Sequence, residues 1–159
     1  MPAGPRELQT KIEAIAHRYP DKRSLTLPAL RFAQEEHDWL SPDTLREVAQ
    51  VLDLTPAYCQ AVASFYDMFH LEPVGRHMVE ICTNLSCALV GAQRVVEAFE
   101  AELGIRAGET TTDGDITFRA VECLGGCGYA PVVAVDSLYR HHVKPEDAAE
   151  IVKEVRGTS

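Results

Sequence analysis

A chain of 159 residues with 46% apolar side chains is long enough for one or two small domains with a buried core. Its net charge of −9 and pI near 5.1 exclude the basic footprint that nucleic-acid binding needs. No apolar run approaches the roughly 20 residues that span a bilayer, and Met1-Pro2-Ala3-Gly4-Pro5-Arg6-Glu7 carries neither a secretory apolar stretch nor an Arg/Ser-rich presequence. A reducing cytoplasm is therefore expected, where paired cysteines bind metal more often than they form disulfides.

Residues 1–72 read as helical. Glu7 to Tyr19 carries Leu8, Ile12, Ile15 and Ala16 at helical spacing, and Pro20 stops it. Leu27 to Trp39 has Pro28 near its first turn and sets Leu30, Ala33 and His37 on one side. Ser41-Pro42-Asp43 combines a hydroxyl N-cap, proline at the first helical position and an acid near the positive helix end. Leu45, Val48, Ala49 and Leu52 follow as its apolar stripe. Thr55-Pro56 repeats that start and opens a helix expected to reach Phe69. Stripes this short must pack on one another or on a partner, and Leu25, Leu27, Phe32 and Trp39 are the candidate contact residues. The run Phe65-Tyr66-Asp67-Met68-Phe69-His70 is expected mostly in the core.

At Glu72-Pro73-Val74-Gly75 the period changes from helical to alternating. His77 to Ile81 reads as a strand ending at Cys82. Cys87 to Leu103 reads as one amphipathic helix closed by Gly104, and Gly108 to Asp115 as a loop of turn residues. Ile116 to Val121 is a strand that delivers Cys123, and Pro131 to Val135 is a buried strand. Asp136-Ser137 turns the chain into Leu138 to Val143, and Pro145 opens a last helix, Glu146 to Val155. The order strand, helix, strand, strand, strand, helix predicts an α/β sandwich of two or three layers over residues 73–159. Both cysteine pairs then fall at strand ends on one edge.

Four of the five cysteines form two tight pairs, Cys82-x4-Cys87 and Cys123-x3-Cys127. Thiolates in fours suit tetrahedral zinc or an iron–sulfur cluster, and the spacing alone does not exclude zinc. The longer loops and the glycines Gly125, Gly126 and Gly128 favour the larger, more negative cluster, whose sulfurs need several N–H donors. If Cys87 starts a helix, that helix adds unsatisfied N–H groups near the sulfurs. No histidine stands where Rieske ligation would need one, and no C-x-x-C redox motif occurs. Disulfides or redox thiols remain a weaker alternative.

Cys59, alone on its helix, reads as a small buried hydrophobe. His141-His142 is expected to point to opposite faces of the last strand, one into the core and one to the surface. No P-loop, G-x-G-x-x-G, G-x-S-x-G or H-E-x-x-H occurs, so the chain alone carries neither a nicotinamide nor a flavin site.

Several runs resemble one family. They are Leu27-Pro28-Ala29-Leu30 to Gln34-Glu35-Glu36-His37, then Trp39-Leu40-Ser41-Pro42; Val62 to Phe69; Ile81-Cys82-Thr83-Asn84-Leu85-Ser86-Cys87; Glu122-Cys123-Leu124-Gly125-Gly126-Cys127; and Ala130-Pro131-Val132-Val133. Over roughly residues 10–155 the chain is similar to the [2Fe–2S] thioredoxin-like subunit of bacterial respiratory complex I, NADH:quinone oxidoreductase (the E-type subunit, counterpart of mitochondrial flavoprotein 2). The resemblance implies that Cys82, Cys87, Cys123 and Cys127 ligate one [2Fe–2S] cluster in a thioredoxin-like domain, behind a helical N-terminal segment. It implies docking on the partner subunit that holds FMN and binds NADH, so the chain serves an enzyme without a complete active site of its own. The cluster would sit beside the flavin, off the main path to quinone. Attachment to the cytoplasmic face of the inner membrane would come through the other peripheral-arm subunits. Pro131 stands where such folds carry a cis-proline, Gly126 where alanine is common, and Lys144 where a hydroxyl cap is usual. Related subunits serve NAD-linked formate dehydrogenases and iron hydrogenases. A zinc-stapled adaptor and a stand-alone thiol oxidoreductase are the readings from other classes.

Overall fold

In the computed structural model, which describes residues 5–157, the chain up to Pro73 folds as four α-helices and a short 3-10 turn. They are α1 (Pro5–Ala16), α2 (Thr26–His37), α3 (Pro42–Leu52) and α4 (Pro56–Phe65). Met1 to Gly4, where the targeting-signal reading begins, lie outside the described residues. The two proline-led starts form as their residues dictate. Ser41 Oγ accepts from the Thr44 amide at 3.0 Å and Thr55 Oγ1 from the Tyr58 amide at 3.3 Å. Leu8, Ile12, Leu30, Val48, Leu52 and Ala63 come from all four helices into one core. This unit therefore has its own apolar interior, larger than its short stripes suggest.

Three helix ends fall short of the sequence expectation. α1 stops at Ala16 rather than Tyr19, because the Arg18 and Tyr19 amides turn back to Ile15 and Ala16 in a tighter pattern. α2 stops at His37 because Asp38 is left-handed, at φ 66°. α4 stops at Phe65 rather than Phe69, since Tyr66 is already extended. The aromatic run is thereby carried out of the core, a correction to its expected burial. Phe65 is 80% exposed and Met68 61%, and Phe69 alone of the run's aromatics packs inside. Leu25 is likewise a core residue rather than a contact residue, whereas Leu27 stays exposed.

A second unit begins at Val74. Its strands are β1 (His77–Cys82), β2 (Ile116–Val121), β3 (Val133–Val135) and β4 (Leu138–Arg140), in the sheet order β2-β1-β3-β4. β1 and β2 are parallel, and the other pairings are antiparallel. Between β1 and β2 the chain forms α5 (Leu85–Leu89) and α6 (Ala92–Leu103), and α7 (Ala148–Gly157) closes the unit. Val79 and Ile81 on β1, with Ile116 and Phe118 on β2, share one core with Val95 and Phe99 of α6 and with the inner face of α7. Of the two architectures the sequence allowed, this is the two-layer one, with α6 and α7 over one sheet face. The Phe99 and Phe118 rings stack at 6.0 Å, and burying such a side chain contributes about 1.5–3 kcal/mol.

The expected single helix from Cys87 to Leu103 is broken. Val90 leaves the helical region and Gly91 sits at φ 100°, a conformation open to glycine, so α5 and α6 are separate. The hairpin turn forms as expected, with Asp136 and Ser137 both left-handed. Asp136 anchors it by accepting from the Met78 amide at 2.8 Å and pairing with His77 at 2.7 Å. β4 ends at Arg140, so His141 and His142 lie beyond the strand and both are exposed, which overturns the core-and-surface reading. Lys144 lacks a capping hydroxyl, and Asp147 compensates by accepting the Lys144 amide at 2.8 Å.

Candidate metal centre

The parallel register sets Cys82, the last residue of β1, opposite Val121, the last residue of β2. Both cysteine loops therefore leave the sheet side by side. Thr83 ties them, its amide and hydroxyl both donating to the Val121 carbonyl at 2.9 and 3.1 Å. The first loop turns at once into α5, where Asn84 is the N-cap and accepts from the Leu85 amide at 2.8 Å. Cys87 is the third residue of this short helix rather than the start of a long one.

The second loop leaves β2 through Glu122 to Cys123 and turns at Gly125, which holds φ 73°. There the Gly125 amide donates to Cys123 Sγ at 3.3 Å. Cys127 opens a 3-10 turn to Tyr129, and the Ala130–Pro131 peptide is cis. The three glycines do not share one role. Of the three glycines, Gly125 alone adopts the left-handed region, whereas Gly126 is needed for space, since a Cβ there would lie 2.8 Å from Val132 Cγ2. Gly128 meets neither demand.

The four thiols divide by environment. Cys82 and Cys87 are 4% and 2% exposed and share an apolar cluster with Ala92 and Val132, against which Leu124 of the second loop packs. Cys123 and Cys127 are exposed. No disulfide joins the five cysteines, and Cys59 is buried in α4, where burial pushes its thiol up. Burial also pushes Cys82 up, but the amides of Asn84 and Leu124 and the thiols of Cys87 and Cys123 outweigh it, and its pKa falls below the usual thiol value. Cys87 goes the other way. Burial raises it, the Val132 amide opposes, and the neighbouring Cys82 and the charge of Cys127 raise it further.

Each of the four candidate ligands thus interacts with another thiol or with a backbone amide. Four thiolates in two pairs suit a tetrahedral zinc or a two-iron centre, and the two-iron centre, being the more negative, gains more from backbone N–H donors. The donor set fits such a centre: sulfur ligands from two adjacent loops, with backbone N–H groups directed at Cys82, Cys87 and Cys123. Sequence reasoning missed Val132, which supplies an amide and fills the space beside Gly126. It also missed Tyr139, whose hydroxyl donates to the Leu124 carbonyl at 2.7 Å. Neither has a signal in the cysteine motif, because both follow it in the chain, Val132 just ahead of β3 and Tyr139 on β4.

Known proteins resemble this chain in family, sequence and fold. Residues 12–156 match the thioredoxin-like [2Fe–2S] ferredoxin family. The second E-type subunit of NADH-quinone oxidoreductase from Rhizobium meliloti is 45% identical over 144 residues, which cover 91% of this chain and 84% of the relative. The E-type subunit of the same enzyme from Mycobacterium bovis is 41% identical over 94% of this chain, which spans 59% of that longer relative. Among solved structures, an NAD+-reducing [NiFe]-hydrogenase superposes with a TM-score of 0.72 over 81% of this chain and 23% of its own. At 19% identity that is a likeness of fold.

Proposed function

The chain belongs to the thioredoxin-like [2Fe–2S] ferredoxin family, and from that premise we propose that it is an electron-transfer subunit of an NADH:quinone oxidoreductase, with Cys82, Cys87, Cys123 and Cys127 as the ligands of one [2Fe–2S] cluster. The observation that carries this reading is the Cys82–Val121 register, which delivers both cysteine loops to one end of the sheet. The named relatives, at 45% and 41% identity, favour this assembly over a hydrogenase, where the likeness is of fold alone.

When bound, such a centre supplies one-electron donor and acceptor chemistry. The chain's own residues hold and tune it. Cys82 and Cys87 present buried sulfurs in an apolar surround, while Cys123 and Cys127 lie at the protein surface, where an electron partner can approach. The amides of Asn84, Leu124, Gly125 and Val132 offset negative charge on the sulfurs and raise the potential, against the downward push of an acidic chain. The exposed Leu85, Leu89 and Val90, beside Cys87, give this end of the unit an apolar rim suited to a protein partner. That partner would be the subunit holding FMN and binding NADH, with the cluster beside the flavin. Among the described residues no helix is long and apolar enough to cross a membrane. We assign attachment to the cytoplasmic face of the inner membrane to the complex rather than to this chain.

Affinity purification of the tagged chain from solubilised membranes tests the reading. A co-purifying flavin subunit with NADH-oxidising activity and a membrane arm is the expected result. Recovery with a formate- or hydrogen-oxidising enzyme instead would contradict it.

A further inference from the structure

Tyr139 stands on β4, outside both cysteine loops, with its backbone fixed by pairing with Ala134 on β3. Its hydroxyl donates to the Leu124 carbonyl at 2.7 Å. That carbonyl and the Gly125 N–H belong to one peptide unit, and the N–H donates to Cys123 Sγ at 3.3 Å. A donor on the oxygen of an amide polarises it and strengthens the bond made by its N–H, so the two contacts form a chain from phenol to sulfur. The peptide is held at Gly125, whose left-handed backbone and missing side chain give the loop no anchor of its own there. On its carbonyl side the peptide is held from the hairpin.

We propose that Tyr139 is a positioning residue that raises the reduction potential of the centre at Cys123 by holding and polarising the Leu124–Gly125 peptide. This rests on the four-cysteine ligand reading and extends it to a residue that no cysteine motif includes. N–H···S bonds stabilise the more negative, reduced form, so weakening one lowers the potential. The phenol is partly open to water, which sets a modest size for the effect.

An EPR-monitored redox titration of the full-length, anaerobically purified chain tests the proposal against Tyr139→Phe and against 3-fluorotyrosine incorporated at position 139. Tyr139→Phe retains iron and sulfide and shifts the midpoint potential negative. Fluorotyrosine, a stronger donor while its phenol is protonated, shifts it positive. Unchanged potentials, or shifts of the opposite sign, with the cluster intact would overturn the role of Tyr139 and leave the ligand assignment standing. If Tyr139→Phe does not accumulate, the fluorotyrosine chain decides alone on the same terms. A wild-type chain without iron or sulfide would overturn the ligand assignment, and this proposal with it.

Discussion

A Cβ on Gly126 would lie 2.8 Å from Cγ2 of Val132, a fully buried and χ1-stiff side chain. Val132 therefore fills the space that an alanine side chain at position 126 would take. Gly126→Ala is expected to lose about 1–3 kcal/mol of stability by overpacking. In a double-mutant cycle by chemical denaturation, Val132→Ala should cost less in the Gly126→Ala background than alone. Additive effects would contradict the contact.

Gly75 presents a harder limit. A Cβ there would lie 2.8 Å from the Asp115 carbonyl oxygen and 2.9 Å from the Ile116 carbonyl carbon, both backbone. The Gly75 amide also donates to Thr117 Oγ1 at 2.6 Å, pinning the entry to β1 against β2. Gly75→Ala should cost about 3 kcal/mol or more, the upper end for overpacking, because no side chain can rotate away. A melting temperature within a degree of wild type would contradict it.

Much of this architecture was legible in the residues. Ser41-Pro42 and Thr55-Pro56 announce helix starts because a hydroxyl and a proline act locally. The alternation in His77 to Ile81 announces a strand for the same reason. Helix ends were less legible, since left-handed Asp38 and extended Tyr66 are set by packing rather than by residue type. The break between α5 and α6 falls at Gly91 inside an unbroken apolar stripe, so periodicity runs through it. The cysteines declare themselves by spacing, but Tyr139 reaches Leu124 across 15 positions, and nothing in the motif points to it.

The two units have separate cores. We expect residues 73–159 to fold and hold the cluster without residues 1–72, and the truncated chain to bind the flavin subunit more weakly. Visible and EPR spectra of the truncated chain, with a pull-down against the flavin subunit, check both halves. Loss of the cluster on truncation, or full retained affinity, would contradict the division of roles.

Two buried cysteines should behave oppositely. Cys87→Ser changes a sulfur in contact with Cys82 and should abolish or alter the reduced-state EPR signal. Cys59→Ala, in α4, removes a buried thiol from the helical core and should cost about 1 kcal/mol while leaving that signal unchanged. Identical spectra from wild type and Cys87→Ser would remove Cys87 from the ligand set.

Elemental analysis of the anaerobically purified chain bears most directly on the four-cysteine centre. Two irons and two acid-labile sulfides per chain, with all four of Cys82, Cys87, Cys123 and Cys127 protected from alkylation, are the expected result. One zinc per chain with no sulfide, or rapid alkylation of any of the four in the metal-loaded protein, would contradict it.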